Sequence, residues 1–444
     1  MKQAGQTRGK RELTLTIDNL NSEGQGVARS GRDVYFVPGA LPGETVRARM
    51  LQRSKKIWHT QLLNIEDGSS PDRQQPECPH YDRCGGCNLQ HMSYQAQVAF
   101  KQSRVARELS RQKVQVDDWQ DALTGNEWHY RRKARLGVRF SKEQQKNFLG
   151  FREAGGSHLT DIDRCQVLPE HPALDWSAWR ELIGSLEAAS LITQIEPLWA
   201  DSALVFIVRV LKPLSAGDQS ILRRAFSDWQ ATDDKPLQLW VRTEKHAAPV
   251  ALWPETVSAI WHEVCGLKLE IQADDFIQVN ATINQAMVRQ ALEWLEPQQN
   301  ELIWDLFAGH GNFSMPLAQR CSQVVAVEGQ QAMTDSLQRQ SEKLALSLQS
   351  KCADLSSAGA LSQLPAPDAV LLDPPRAGAA EVMPELIQRK VGRILYVSCD
   401  PATLARDLGQ LTNAGYEVIK AGIMDMFPQT HHVETMVLLK YRGK

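Results

Sequence analysis

The sequence predicts an α/β protein. A doubly wound, mostly parallel sheet occupies its C-terminal part, preceded by a small β-barrel and an α/β middle region. Three observations carry this. From Ile271 onward the apolar runs Leu302–Leu306, Val324–Val327, Ala369–Leu372 and Ile394–Val397 are separated by helical stretches, the pattern of strands buried on both faces and joined by helices. Residues 12–66 hold short β-rich runs (Leu13–Ile17, Val34–Val37, Glu44–Arg49, Ile57–Leu62) parted by glycine-containing turns, which fits a five-stranded barrel. The 444 residues are too many for one domain; at about 100–200 residues each, two to four are expected.

Taken in order, the N-terminus Met1–Gln6 carries a charge but no apolar core, so it is not a secretory signal. The barrel ends at Asp67-Gly68-Ser69-Ser70-Pro71, which reads as a linker. A cysteine-bearing segment follows, then a helix from about Tyr94 to Arg111. Residues 128–270 mix strand runs such as Leu204–Val210 with helices. In the last part, the runs Tyr416–Phe427 and Val433–Tyr441 have no helix between them and are expected to close the sheet as an antiparallel hairpin. The resulting division is 1–68, 69–270 and 271–444.

Hydrophobic residues make up 42% and charged residues 23%, the balance of a globular protein with real cores. No apolar stretch reaches the ~20 residues that span a bilayer, so no membrane association is expected. A cytoplasmic location, with reduced cysteines, follows. The net charge of −2 conceals an asymmetry: residues 1–60 hold eleven Lys/Arg against five Asp/Glu, and residues 100–152 hold thirteen against six. Segregated basic segments suit a polyanion partner.

Five constellations carry chemistry. Asp305-Leu306-Phe307-Ala308-Gly309-His310-Gly311-Asn312-Phe313 is a strand running through a glycine turn into a helix, where backbone can approach a ligand and free N–H groups are offered. Glu328, nineteen residues after Gly309 at the end of the next strand, suits ribose hydroxyls. The third glycine of a dinucleotide fingerprint is missing, which points away from NAD and toward S-adenosylmethionine. Asp373-Pro374-Pro375-Arg376 fixes the chain as it leaves the run Ala369–Leu372 and turns Asp373 toward the crevice; Arg376, where amine methyltransferases carry an aromatic, argues against amine substrates.

Cys399 follows a buried run at the tip of a strand, and Glu434 lies between the last two strands. Carbon-5 of uracil is a poor nucleophile. A thiolate that adds to carbon-6 makes carbon-5 nucleophilic, and a base must then remove the carbon-5 proton; Cys399 and Glu434 suit these tasks. Cys78, Cys84 and Cys87 fall within ten residues, with Cys165 further on; the spacing fits zinc or an iron–sulfur cluster. His129-Tyr130-Arg131-Arg132-Lys133-Ala134-Arg135 interleaves cations with aromatics, which suits phosphate contacts and base stacking.

Phe276–Asn280, Asp305–Phe313, Asp373–Gly378, Ser398–Thr403 and His432–Thr435 occur in the order of the RNA uracil carbon-5 methyltransferases, and over nearly its whole length the chain resembles that family. The resemblance implies a class I S-adenosylmethionine-dependent methyltransferase domain, an N-terminal OB-like TRAM barrel that binds RNA, and a middle domain carrying a [4Fe-4S] cluster. It implies Cys399 as nucleophile and Glu434 as base; Gln278, Phe307, Asn312, Glu328, Asp354 and Asp373 around the cofactor; Cys78, Cys84, Cys87 and Cys165 on the cluster; and Arg131, Arg132 and Arg135 on RNA. Barrel plus cysteines resemble the branch acting on 23S ribosomal RNA; no protein partner is evident. Departures are small: Ala308 stands where a cysteine is common, and Pro375 where alanine often stands. Competing expectations are methylation of a different rRNA or tRNA uridine, and a non-catalytic RNA-binding or ribosome-assembly protein.

Overall fold

The computed structural model describes residues 11–244 and 247–443, so Met1–Gln6 lies outside the described residues. The chain divides into two compact units, one formed by Met1–Lys101 with Pro428–His431 and the other by Gln102–Phe427 with His432–Lys444.

The first unit contains β1 (Glu12–Thr16), β2 (Asn19–Leu20), β3 (Gly26–Ser30), β4 (Asp33–Val37), β5 (Thr45–Ser54) and β6 (Ile57–Asp67), in one sheet of order β1-β5-β6-β4-β3-β2. Five strands were expected and six are found; the additional pairing is the two-residue β2 against β3. Three register shifts between β5 and β6 let this long pair bend around a core of Leu15, Ile17, Val37, Val46 and Ala48. The expected linker is pinned rather than free. Arg73, just beyond it, reaches back to the buried Glu44 with Nε–Oε1 at 2.5 Å and Nη2–Oε2 at 2.7 Å, and Ser70 donates its N–H to the same carboxylate. Helix α1 spans Tyr94–Arg111, as its pattern indicates.

In the second unit the middle region holds β7 (Leu136–Ser141), β8 (Lys146–Arg152), β9 (Leu159–Asp161), α2 (Trp176–Gly184), β10 (Ile192–Trp199), β11 (Leu204–Val210), α3 (Ala216–Gln230), β12 (Leu237–Arg242) and β13 (Val250–Trp253). The sheet order is β13-β12-β11-β10-β7-β8-β9, antiparallel except where β11 runs parallel to β12 across the α3 crossover. Trp179, Phe206, Phe226, Trp229 and Trp253 stack edge-to-face and tilted beneath it, with centroids 5.1–5.9 Å apart.

A hairpin of β14 (Ile260–Val264) and β15 (Leu267–Ile271) leads through Asn280, which caps α4 (Ala281–Leu295) by accepting the Ile283 N–H. The remaining elements are β16 (Leu302–Leu306), α5 (Ser314–Ala318), β17 (Gln323–Glu328), α6 (Gln331–Lys343), β18 (Leu348–Cys352), β19 (Ala369–Leu372), α7 (Met383–Arg389), β20 (Arg393–Ser398), α8 (Pro401–Asn413), β21 (Tyr416–Met424) and β22 (Glu434–Tyr441). Their sheet has the order β18-β17-β16-β19-β20-β22-β21. The first five strands are parallel, and β21–β22 is the expected antiparallel hairpin, inserted with β22 against β20. The order reverses between β16 and β19, and a crevice outside the carboxyl ends of the strands opens at such a switch point.

Candidate active site

The residues singled out in the C-terminal part meet at the carboxyl ends of these strands. Asp305, in β16, is buried, and its Oδ2 accepts the Ser314 hydroxyl at the start of α5. Phe307 leaves the strand with φ at +65°, and Asp373 follows β19 beside it, its N–H donating to Leu306 O at 3.4 Å. Burial pushes both carboxyls up to about 7, Asp373 by burial alone and Asp305 with help from the neighbouring Asp373.

Two glycines shape the loop after β16. At Gly311, φ is +88°, and a Cβ would meet Leu337 at 2.5 Å and Met315 at 2.9 Å, so no side chain fits. At Gly309, φ is +54° and a Cβ would meet nothing within 4 Å, so the backbone there borders open space. Glu328, at the end of β17, accepts the N–H of Gly309 at 3.1 Å and of Gln330 at 3.0 Å, which holds its carboxylate at the rim of the loop. Asn312 exchanges side-chain hydrogen bonds with Asn284 of α4 at 2.8 and 2.9 Å. An open glycine backbone beside a fixed acidic side chain fits a nucleoside cofactor such as S-adenosylmethionine. Asp354, just beyond β18, is exposed, and its carboxylate is engaged by Ser356 and Ser357 within its own turn.

Cys399 and Glu434 are brought together by strand register. Ser398 of β20 pairs with Thr435 of β22; Cys399 follows the one and Glu434 precedes the other, near enough for Glu434 to act on the Cys399 thiol. Pro401 does more than stop the strand. It opens α8 behind the Asp400 cap, which accepts the N–H groups of Ala402 and Thr403, and so fixes the turn that carries Cys399. Burial pushes the Cys399 thiol up to about 11, with Glu434 and Asp373 adding to the rise and Arg376 opposing it. Burial likewise holds Glu434 well above the usual carboxylate range, again with Asp373 raising and Arg376 lowering it.

Asn284, Ser314 and Asp407 carry no signal of their own in the sequence. Asp407, fully buried on α8, accepts Tyr396 Oη at 2.7 Å, Ala379 N at 2.8 Å and Arg406 Nε at 2.8 Å. Arg406 also donates to Ala377 O, and Thr403 to Arg376 O, so α8 holds the loop that presents Arg376.

The basic run is divided in its duties. Arg132 is buried; its Nε donates to Gln278 O at 3.2 Å, and Nη1 lies 3.4 Å from Asp201 Oδ2. Its guanidinium is thus engaged inside the protein. Arg131 donates from Nε to Lys133 O and stays half-buried. Arg135 keeps an exposed side chain beside Glu196 at 3.1 Å.

Cys78, Cys84 and Cys87 lie half-buried in the first unit, and Cys165 half-buried in the second. Gly86 donates its N–H toward Cys84 Sγ at 3.4 Å, and burial raises the Cys78 and Cys84 thiols, Cys84 also by its proximity to Cys78. Among the described residues no group of three or more His, Cys, Asp or Glu side chains is arranged to hold a metal ion. Nor is any described helix long and apolar enough to cross a membrane.

Comparison with known proteins agrees with this architecture. Residues 264–347 and 360–442 match the tRNA (Uracil-5-)-methyltransferase family, and residues 6–55 match the TRAM domain. A Shewanella amazonensis protein named 23S rRNA (uracil(1939)-C(5))-methyltransferase RlmD is 38% identical over 97% of this chain and 96% of its own length; a Pseudomonas putida protein of the same name is 40% identical over 97% and 94%. The solved Pyrococcus abyssi tRNA (uracil-54, C5)-methyltransferase, in complex with S-adenosyl-L-homocysteine, shares the fold with a TM-score of 0.73 at 22% identity, covering 96% of this chain and 100% of that one. The chain belongs to the RNA uracil carbon-5 methyltransferase family. It is a methyltransferase that uses S-adenosylmethionine and carries an N-terminal TRAM domain, which removes the reading as a non-catalytic RNA-binding protein.

Proposed function

We propose that this enzyme methylates carbon-5 of the 23S ribosomal RNA uridine numbered 1939, through a covalent bond between Cys399 and carbon-6. The observation that supports the mechanism is the β20–β22 register, whose last pair, Ser398 with Thr435, directly adjoins Cys399 and Glu434. The names of the full-length relatives support the substrate.

The Cys399 thiolate adds to carbon-6; the carbon-5–carbon-6 double bond opens and its electron pair moves to oxygen-4 as an enolate. When bound, S-adenosylmethionine supplies the methyl group, which carbon-5 takes. Glu434, as carboxylate, removes the carbon-5 proton; that electron pair restores the double bond and expels the Cys399 thiolate. Gln278, Phe307, Asn312, Glu328, Asp354 and Asp373 would hold the cofactor. Arg131 and Arg135 would meet the RNA, whose target base must leave its stack to reach Cys399. Residues 1–68, 69–270 and 271–444 would serve as the TRAM, cluster-bearing and catalytic domains of a cytoplasmic enzyme.

Incubating the enzyme with unmodified 23S rRNA and labelled S-adenosylmethionine tests this. Wild type should label the one uridine. Cys399→Ala should label none, and undiminished labelling by it would overturn the mechanism. Glu434→Gln should slow turnover about 10²- to 10⁴-fold and accumulate an RNA–protein adduct that survives denaturing gels.

We further propose that Cys78, Cys84, Cys87 and Cys165 hold a [4Fe-4S] cluster; the close sequence spacing of the first three, which fits such a cluster, supports it. Anaerobically purified protein should contain iron and acid-labile sulfide and show broad visible absorbance. A colourless, zinc-containing protein would refute the cluster.

A further inference from the structure

His310, between the two glycines of the cofactor loop, is a residue to which the proposed mechanism gives no role. Its side chain is only 9% exposed, and Nε2 lies 3.3 Å from Asp275 Oδ2, yet neither ring nitrogen makes a hydrogen bond. Asp275 is itself fixed, since its Oδ2 accepts the Gln272 N–H at 2.6 Å and its carbonyl accepts the Lys133 ammonium. The segment that follows, up to the α4 cap, is gripped by the basic run. Arg132 donates its N–H to Val279 O at 2.8 Å and its Nε to Gln278 O, and Arg131 bridges antiparallel to Asn280. The segment 275–284 therefore has the basic run on one edge, and the cofactor loop on the other through His310–Asp275 and Asn312–Asn284.

We infer that His310 is a positioning residue that couples the two substrates: by closing onto Asp275 it links the cofactor loop to the Gln278 segment held by the basic run, so that cofactor and RNA strengthen each other's binding. The physical basis is the unfilled hydrogen bond. A ligand that draws the loop inward completes an imidazole–carboxylate bond that the free protein leaves long and misaligned, and only such a differential interaction can shift one state toward the other. Linkage then makes the effect reciprocal. The inference rests on the cofactor and RNA assignments proposed above.

Full-length enzyme is titrated with an rRNA fragment containing the target uridine, with and without saturating S-adenosylhomocysteine, which binds without turnover. Wild type should bind RNA about 5- to 50-fold more tightly with the nucleoside present, and the nucleoside more tightly by the same factor with RNA present. In His310→Ala and in Asp275→Asn that factor should fall to near one, with no further loss in the double variant. His310→Asn, which retains an N–H for Asp275, should recover part of it and serves if the alanine variant fails to fold. A wild-type factor of one, or a full factor in His310→Ala, would overturn the inference while leaving the cofactor assignment intact. Absence of nucleoside binding to wild type would overturn both.

Discussion

Cys399 gains its character from what surrounds it, and the sign of each contribution is testable. Burial and the Glu434 carboxylate push the thiol up to about 11, while Arg376 pulls it down. Only the thiolate is alkylated, so at pH 7 iodoacetamide should modify Cys399 slowly, with a rate that climbs toward pH 11. Glu434→Gln removes a negative neighbour and should move the midpoint down; Arg376→Ala removes the opposing cation and should move it up. Mass-spectrometric labelling rates at this one cysteine check both shifts, and a Glu434→Gln midpoint that rose would contradict the geometry.

Between elements, the clearest fastening is Arg73 on Glu44, which ties the segment after β6 back onto the first sheet. Burial raises the Glu44 carboxyl, but the Arg73 bonds and the Leu41 N–H outweigh it and hold the carboxyl below its usual range. A depressed group stabilises fully above its unfolded pKa and loses that contribution as pH falls through the folded one. Arg73→Ala, by leaving a buried charge alone, should cost about 3–5 kcal/mol at neutral pH, and less in acid, where the carboxyl is neutral. Thermal unfolding followed from about pH 3, below the ordinary glutamate value, to about pH 8, well above it, measures this, and equal losses at both ends would refute it. The sequence marked this stretch as a linker because its glycine, serines and proline carry no trace of a guanidinium arriving at a carboxylate 29 positions away. The same limit hid β18: Leu348–Cys352 is an edge strand with mostly polar, half-exposed side chains, whereas Ala369–Leu372, buried throughout, announced itself by its apolar run. The middle sheet resisted ordering because its one parallel pair, β11–β12, depends on a crossover that periodicity does not reveal.

For the whole molecule, the legible part of the candidate site is the part written in reactive side chains expected at strand ends: Cys399, Glu434, Asp373, Glu328 and the glycine loop. Their supports, Asn284 under Asn312, Ser314 under Asp305 and Asp407 under the Arg376 loop, are ordinary polar residues whose value exists only after folding. Arg132 shows the converse: a basic run looks like surface, yet tertiary packing took its second arginine inside. The composition of the first unit carries a different consequence, one of timing. Gln97 and Gln429 bond to each other, through both the side chain and the backbone of Gln429, across 332 positions of sequence, and Asn88 donates to His431. A ribosome delivers the chain from its N-terminus, and domains otherwise fold in that order. Here the TRAM-bearing unit waits for a clasp made after nearly all of the catalytic sheet, one that emerges only just ahead of Glu434. The part that grips RNA and the part that modifies it are thus completed almost together, late in synthesis.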